Sequence, residues 1–341
     1  MMETLILKTD ENSLSSAKKI LEEGGLVAFP TETVYGLGAN AFDGEAVKKI
    51  YEVKGRPQDN PLIVHVHKDC DIERIVCDIP QYARSLAQKF LPGPLTMVFK
   101  SRGAVSPVVS CGLDTVGVRV PSHPDAQKFL KYVDLPIAAP SANISKHVSP
   151  VTAGHVYADF AGRIPLILDG GKCTGGIEST VLDCTGEIPC VLRSGLVTRE
   201  MIAEVAGDCN VFVPKAGEKV RSPGMKYKHY SPNCLTMLFS YAERGRAAEE
   251  YARQRMEGVK AYVMCDESLA AALEKDVPSE HILNLGGSGE EIAANLYYKL
   301  REGESVADLI IAVAPEKQDG VMVGVMNRLT MACGGGKAEK S

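Results

Sequence analysis

Leu26 to Leu37, LVAFPTETVYGL, constrains this chain more than any other stretch. Leu26, Val27, Ala28 and Phe29 form an apolar run that reads as a buried strand. Pro30 ends its ladder, because proline offers no amide donor. Thr31, Thr33 and Tyr35 then alternate, and in an extended segment their side chains would share one face. Gly36 and Gly38 allow close backbone approach. A buried strand opening into hydroxyls and glycines is either the wall of a ligand site or a strand and loop whose threonines serve β-propensity.

On either side of this stretch the chain reads as strand and helix in turn. Ser13 or Ser15 is expected to cap a helix running through Leu21 and ending at Gly24-Gly25. Gly44 to Val53 has helical periodicity, with Val47, Ile50 and Tyr51 on one side. KGRPQDNP is a loop, broken by Gly55, Pro57 and Pro61. LIVHV, TMVFK, TVGVRVP, PIAAP, LILDGG, STVLDC and PCVLRSG are β-type runs, and Pro80 to Phe90, Ala126 to Tyr132 and Thr198 to Val205 are helical. The pattern breaks down from Pro214 to Asn233, a polar Pro- and Gly-containing stretch with no apolar period, and long ordered loops tend to be functional. Beyond it LTMLFS, VKAYVMC and ADLIIAVA alternate with helical stretches (Arg244–Arg255, Glu290–Leu300 and Leu329–Ala332), which predicts a small parallel α/β domain. Gly286-Gly287-Ser288-Gly289 is either an anion-binding turn or a plain loop.

Composition narrows the function classes. A chain of 341 residues, 45% hydrophobic and 24% charged, suits a globular protein of about two domains. Net charge is −5 with the basic residues dispersed, which argues against wholesale electrostatic binding of nucleic acid and leaves room for a local basic pocket. No apolar run approaches a membrane span, and MMETLILKTDEN lacks the pattern of a secretion signal, so a cytoplasmic location is expected. The ten cysteines form no Cys-x-x-Cys pair, so no zinc or redox motif of the usual spacing is present.

The residues able to carry chemistry are cations and hydroxyls. Lys54 and Arg56 sit two apart, and an extended backbone would aim both at one point, a point charge and a bidentate fork suited to phosphate. The same pair also fits a solvated loop tip. Asn60 is placed to read a base or ribose. Arg119 lies among valines on an alternating strand, with Thr115 on its face, and is either solvent-facing or held for an anion. Ser141 and Asn143 follow a strand end, Ser149 sits in a similar context, and Ser179 begins another strand after Gly175-Gly176. Arg193 is a third ligand candidate for phosphate or carboxylate. His65 lies on a strand, where a core histidine with a satisfied hydrogen bond is the commoner case. No Ser-His-Asp order and no paired carboxylates in a polar loop are evident. Such a pocket binds anions and positions reactants.

Taken in order, PTETVYGLG, KGRPQDNPLIVHV, PGPLT, VGVRVP, APSAN, GGIESTVLD and VLRSG resemble the L-threonylcarbamoyladenylate synthases of YrdC-like fold. SPGMKYKHYSP and GVMVGVMNRL resemble the two-domain form of that family, and the likeness runs from about Leu5 to Ala332. It implies an α/β protein: a YrdC-like twisted open-sheet catalytic domain over 5–213, an ordered linker and active-site lid over 214–234, a smaller Rossmann-like parallel domain over 235–333, and a disordered tail over 334–341. It implies a nucleotidyltransferase that condenses L-threonine, bicarbonate or CO₂ and ATP, with Mg²⁺ arriving on the triphosphate and no dedicated metal site. Partner proteins would use the product to build threonylcarbamoyladenosine next to the tRNA anticodon, with a weak contact to tRNA itself.

Carried over by motif, Thr33, His65, Arg119, Ser179 and the Ala139 backbone surround threonine. Lys54, Arg56, Asn60, Thr115, Ser141, Asn143, Ser149 and Arg193 hold ATP, with Lys54 and Arg56 catalytic and His229 or Tyr230 closing over the nucleotide. The competing readings are a binding module for double-stranded RNA or tRNA and a carbamoyl-adenylate enzyme acting on another amine.

Overall fold

The computed structural model describes residues 3–213 and 230–333. They fall into two compact units, one made of 3–145 and 149–213, the other of 146–148 and 230–333. The linker from 214 to 229, including His229, and the tail from 334 lie outside the described residues.

The first unit is built on one mixed sheet. Its strands are β1 (Leu5–Lys8), β2 (Val27–Phe29), β3 (Gly36–Asn40), β4 (Ile63–His65), β5 (Val76–Cys77) and β6 (Leu95–Ser101). They continue with β7 (Thr115–Arg119), β8 (Ile137–Ala139), β9 (Leu166–Asp169), β10 (Thr180–Asp183), β11 (Cys190–Arg193) and β12 (Asn210–Val211). Their order across the sheet is β1-β9-β2-β3-β8-β4-β7-β6-β10-β11-β12, with β5 on the side of β6. The β-type runs expected from sequence are all strands. The short β1, β3, β5 and β12, which lack a clear apolar period, are additions to that set.

Register decides which side chains share a face, because cross-strand partners point the same way. Val27 pairs with Gly38, Ile137 with His65, Ile63 with Gly117, His65 with Arg119, and Thr96 with Arg119. One face therefore carries Val27, Phe29, Ile137 and Ala139 at one end and Ile63, His65, Gly117, Arg119, Thr96 and Val98 at the other. Helices Glu11–Glu22 and Pro124–Val133 bury the first end, packing Leu14, Ala17, Leu21, Phe129, Leu130 and Val133 against it. Past those helices the same face lines a cavity bounded by Ile63, Thr96, Val98, Thr115, Gly117 and Val181. The opposite face holds Leu37, Ala39, Val64, Val116, Val118, Met97 and Phe99, all buried.

Two local expectations change. The first helix is capped by Asp10, not by Ser13 or Ser15. Asp10 Oδ1 accepts from the Ser13 amide at 2.8 Å while Ser13 Oγ accepts from the Asp10 amide at 3.0 Å, a reciprocal capping box. The second helix, Gly44–Lys54, reaches Lys54 and stops at Gly55, which takes a left-handed conformation at φ +62°. Lys54 is thus helical, so Lys54 and Arg56 do not share an extended segment.

The second unit is a four-stranded, all-parallel sheet of β13 (Leu235–Phe239), β14 (Ala261–Cys265), β15 (Ile282–Asn284) and β16 (Leu309–Val313), ordered β13-β16-β14-β15. Its helices are Arg244–Met256, Glu267–Leu273, Gly289–Val306 and Val321–Cys333. β15 and the helix Glu267–Leu273 are additions to the expected set, and the last helix begins at Val321 rather than near Leu329. In the Gly286–Gly289 turn the amides of Gly287 and Ser288 donate to Glu291 Oε2 at 2.9 and 3.0 Å. The anion held there is the protein's own carboxylate. The same unit takes in 146–148, where His147 Nε2 meets Glu304 Oε2 at 2.8 Å and Arg301 Nη2 donates to the Val148 carbonyl at 2.6 Å. No described helix is long and apolar enough to cross a membrane.

Candidate functional site

Arg119 closes β7 with His65 on one side and Thr96 on the other, so three polar side chains stand in one row across β4, β7 and β6. Thr96 Oγ1 lies 2.8 Å from Ser179 Oγ, just ahead of β10. Arg193, at the end of β11, donates from Nη2 to the Ser179 carbonyl at 3.0 Å and to Ser179 Oγ at 3.3 Å. The hydroxyls of Thr96 and Ser179 are thereby fixed between two cations.

The PTET segment enters this row as a bend, not as the extended segment read from its alternation. Thr31 Oγ1 accepts the amides of Thr33 and Val34 at 3.1 and 3.2 Å and donates to the Val34 carbonyl at 2.7 Å. Thr33 Oγ1 lies 2.9 Å from Thr31 Oγ1, and either hydroxyl can donate in that contact. The bend also turns Glu32 inward. Glu32 Oε1 takes Arg119 Nη2 at 2.8 Å, and Oε2 takes the Ser122 amide at 3.0 Å. Arg119 is 4% exposed, which overturns its solvent-facing alternative. Its Nε is buried and makes no hydrogen bond among the described residues. A buried donor left unspent is costly unless something accepts from it.

With Thr96 and Glu178, Glu32 is one of the residues that sequence reasoning missed. In the alternating reading it points away from Thr31 and Thr33, and only the bend reverses this. Tyr35 serves the wall, as its hydroxyl donates to the Gly171 carbonyl at 2.8 Å and accepts from the Gly170 amide at 3.2 Å. Burial and the neighbouring Cys173 and Asp169 raise its pKa. His65 is a core histidine with a hydrogen-bonding contact, Nδ1 to the Ile63 carbonyl at 3.2 Å, edge-on to Phe29. Burial first, then the Arg119 charge, lower its pKa to about 3, so the ring is neutral.

The remaining candidates form three groups. Lys54, 2% exposed, donates from Nζ to the carbonyls of Ser141 and Asn143, each at 2.5 Å, and so shapes the turn after β8. Within that turn Ser141 Oγ donates to Asn143 Oδ1 at 2.6 Å. The Ala139 backbone that precedes it is buried and registered on Ile63. Ser149 Oγ donates to Glu178 Oε1 at 2.6 Å, a second buried carboxylate that the sequence reading did not single out. Arg56 donates to the Asn60 carbonyl at 3.0 Å, and the buried Asn60 amide group has no partner for either Oδ1 or Nδ2 among the described residues. Thr115 lies two residues before Gly117 and Arg119 lies two after, so all three share the cavity face of β7. Tyr230 belongs to the second unit, where its ring stacks on Tyr297 at 5.2 Å. No cluster of three or more His, Cys, Asp or Glu that could hold a metal ion occurs among the described residues.

Residues 19–195 match a Sua5, YciO and YrdC family model described as telomere recombination, and 197–334 match the threonylcarbamoyl-AMP synthase C-terminal domain. The chain is 42% identical over 334 residues to the threonylcarbamoyl-AMP synthase of Pyrococcus abyssi, with 96% of each chain covered. It is 43% identical over 338 residues to that of Bacillus subtilis, covering 96% of this chain and 95% of the relative. The crystal structure of P. abyssi Sua5 complexed with L-threonine superposes with a TM-score of 0.88 at 40% identity, covering 98% of both chains. Shared sequence over both domains, and a shared overall fold, show that the chain belongs to the threonylcarbamoyl-AMP synthase family in its two-domain form.

Proposed function

We propose that this protein is a cytoplasmic enzyme that condenses L-threonine, bicarbonate or CO₂ and ATP into L-threonylcarbamoyl-AMP, releasing pyrophosphate. The observation that carries the reading is the buried Arg119, paired to Glu32 through one nitrogen, left with an unspent Nε–H, and registered across the sheet on Thr96, whose hydroxyl meets that of Ser179. A carboxylate satisfies that donor, and Thr33 and Ser179 offer partners to a β-hydroxy amino acid. The likeness to a relative solved with L-threonine supports the same assignment.

The threonine amine attacks the carbon of CO₂ with loss of a proton, or of bicarbonate with loss of water, to give a carbamate. A carbamate oxygen then attacks the α-phosphorus of ATP, and pyrophosphate departs from the opposite side. Every participant is or becomes anionic, so the protein's part is to neutralise repulsion and align the displacement. Arg119 meets the amino-acid carboxylate, and Arg56, Asn60, Thr115 and the turn held by Lys54 form the nucleotide side. Lys54 acts through the Ser141 and Asn143 carbonyls, and Ser149 through Glu178. ATP enters as its magnesium complex, the ion resting on the phosphates. The product passes to tRNA-modifying partner proteins.

Threonine-dependent release of pyrophosphate from ATP and bicarbonate tests the reading. Absence of release with magnesium or manganese rejects it, and release with other amino acids but not threonine reassigns the substrate.

A further inference from the structure

Glu32 lies within reach of the threonine side of the site, yet its carboxylate is fully committed to the protein: Oε1 to Arg119 Nη2 at 2.8 Å and Oε2 to the Ser122 amide at 3.0 Å. Its backbone carbonyl accepts from the Gly175 amide at 2.7 Å. Three separate segments, the bend after β2, the turn after β7 and the loop before β10, therefore meet on one residue. The pair is out of solvent, with side-chain exposures of 4% for Arg119 and 9% for Glu32.

A lone guanidinium at that depth is costly and rotates freely to find acceptors, whereas a carboxylate on one nitrogen offsets the charge and fixes the fork. Glu32 takes one N–H of Nη2, and among the donors that remain the Nε–H is buried and makes no hydrogen bond among the described residues. We infer that Glu32 is a positioning residue of the threonine subsite: it holds the Arg119 guanidinium so that Nε stays available to the substrate carboxylate. This rests on the threonine reading above. It assigns to Glu32 no contact with the reacting atoms, and it predicts a defect in threonine capture, not in the chemical step or in nucleotide binding.

The test compares full-length parent, Glu32→Gln and Glu32→Asp. Initial rates of pyrophosphate release are measured against threonine and against ATP, with threonine binding by calorimetry and thermal unfolding alongside. Glu32→Gln keeps the shape and loses the charge, and Glu32→Asp keeps the charge but withdraws it by one methylene. For both, the threonine KM is expected to rise about tenfold or more while kcat and the ATP KM stay within about threefold, the signature of lost ground-state positioning. A purely structural role lowers the melting temperature and kcat together and leaves the threonine KM in place. That result, or a threonine KM within twofold of the parent in either folded variant, overturns the inference. Should Glu32→Gln fail to fold, the Glu32→Asp threonine KM alone decides. A parent that neither binds threonine nor releases pyrophosphate defeats the proposed function itself, a different outcome from an active parent with indifferent variants.

Discussion

Arg119 and Glu32 are each unfavourable alone at their depth and tolerable only together. Removing the cation while leaving the carboxylate strands a buried charge, which typically costs about 3–5 kcal/mol. Arg119→Met is therefore expected to lower unfolding free energy by about that amount in urea denaturation, in addition to abolishing threonine binding. His65 adds a pH dependence whose sign comes from its depressed pKa of about 3. Between that value and the ordinary histidine value near 6.5, the unfolded chain binds a proton that the folded chain refuses. Its contribution is thus complete above about pH 6.5 and lost as pH falls, on the order of 2 kcal/mol by pH 5. His65→Gln is expected to flatten the stability profile between pH 7 and 5, and an unchanged slope would place the proton elsewhere. Neither effect is legible in the residues alone: Arg119 reads equally well as a surface cation, and its partner stands 87 positions earlier in the chain.

The elements of the sheet are largely readable, because their apolar runs and alternation reflect burial of one or both faces. The bend at PTET is not, because Thr31 Oγ1 captures the amides of Thr33 and Val34, and local hydroxyl-to-backbone bonds of this kind compete with extended structure. The helix runs one residue past its expected end, to Lys54, and that residue decides whether its ammonium faces solvent or the 141–143 turn. Close approach between elements also constrains the site. A Cβ on Gly195 would lie 2.5 Å from the Thr180 amide nitrogen and 2.8 Å from the Glu178 carbonyl oxygen, so the Glu178–Thr180 segment would have to move. Gly195→Ala is expected to raise the threonine KM several-fold and to lower the melting temperature, measured on the same preparation. The covering helices carry a simpler expectation. Phe129 is fully buried against the sheet, and Phe129→Ala should cost about 3–5 kcal/mol in denaturant unfolding.

At the scale of the whole molecule, each unit has its own core, with Phe239, Val263, Leu269 and Ile311 at the centre of the second. The second unit is nevertheless not one continuous stretch, since it takes in 146–148. A fragment beginning near residue 228 lacks the Val148 carbonyl that accepts from Arg301 and the His147 ring that meets Glu304. Loss of partners by buried polar groups costs about 1–3 kcal/mol each, so this fragment is expected to fold yet unfold at lower urea concentration than the same unit in the intact chain.

The sequence by itself determined the fold class, the order of its main strands and helices, and the inventory of cations and hydroxyls. These depend on periodicity and on residue chemistry, which are local. Tertiary structure alone decided which charges meet. Lys54 finds carbonyls 87 and 89 positions away, Ser149 finds Glu178, and Arg119 finds Glu32. Such pairs are settled by strand register and by a single bend after Phe29. The LVAFPTETVYGL stretch is thus a strand and bend that set the unforeseen Glu32 against Arg119, because burial of a charge can be balanced only by whatever the fold brings beside it.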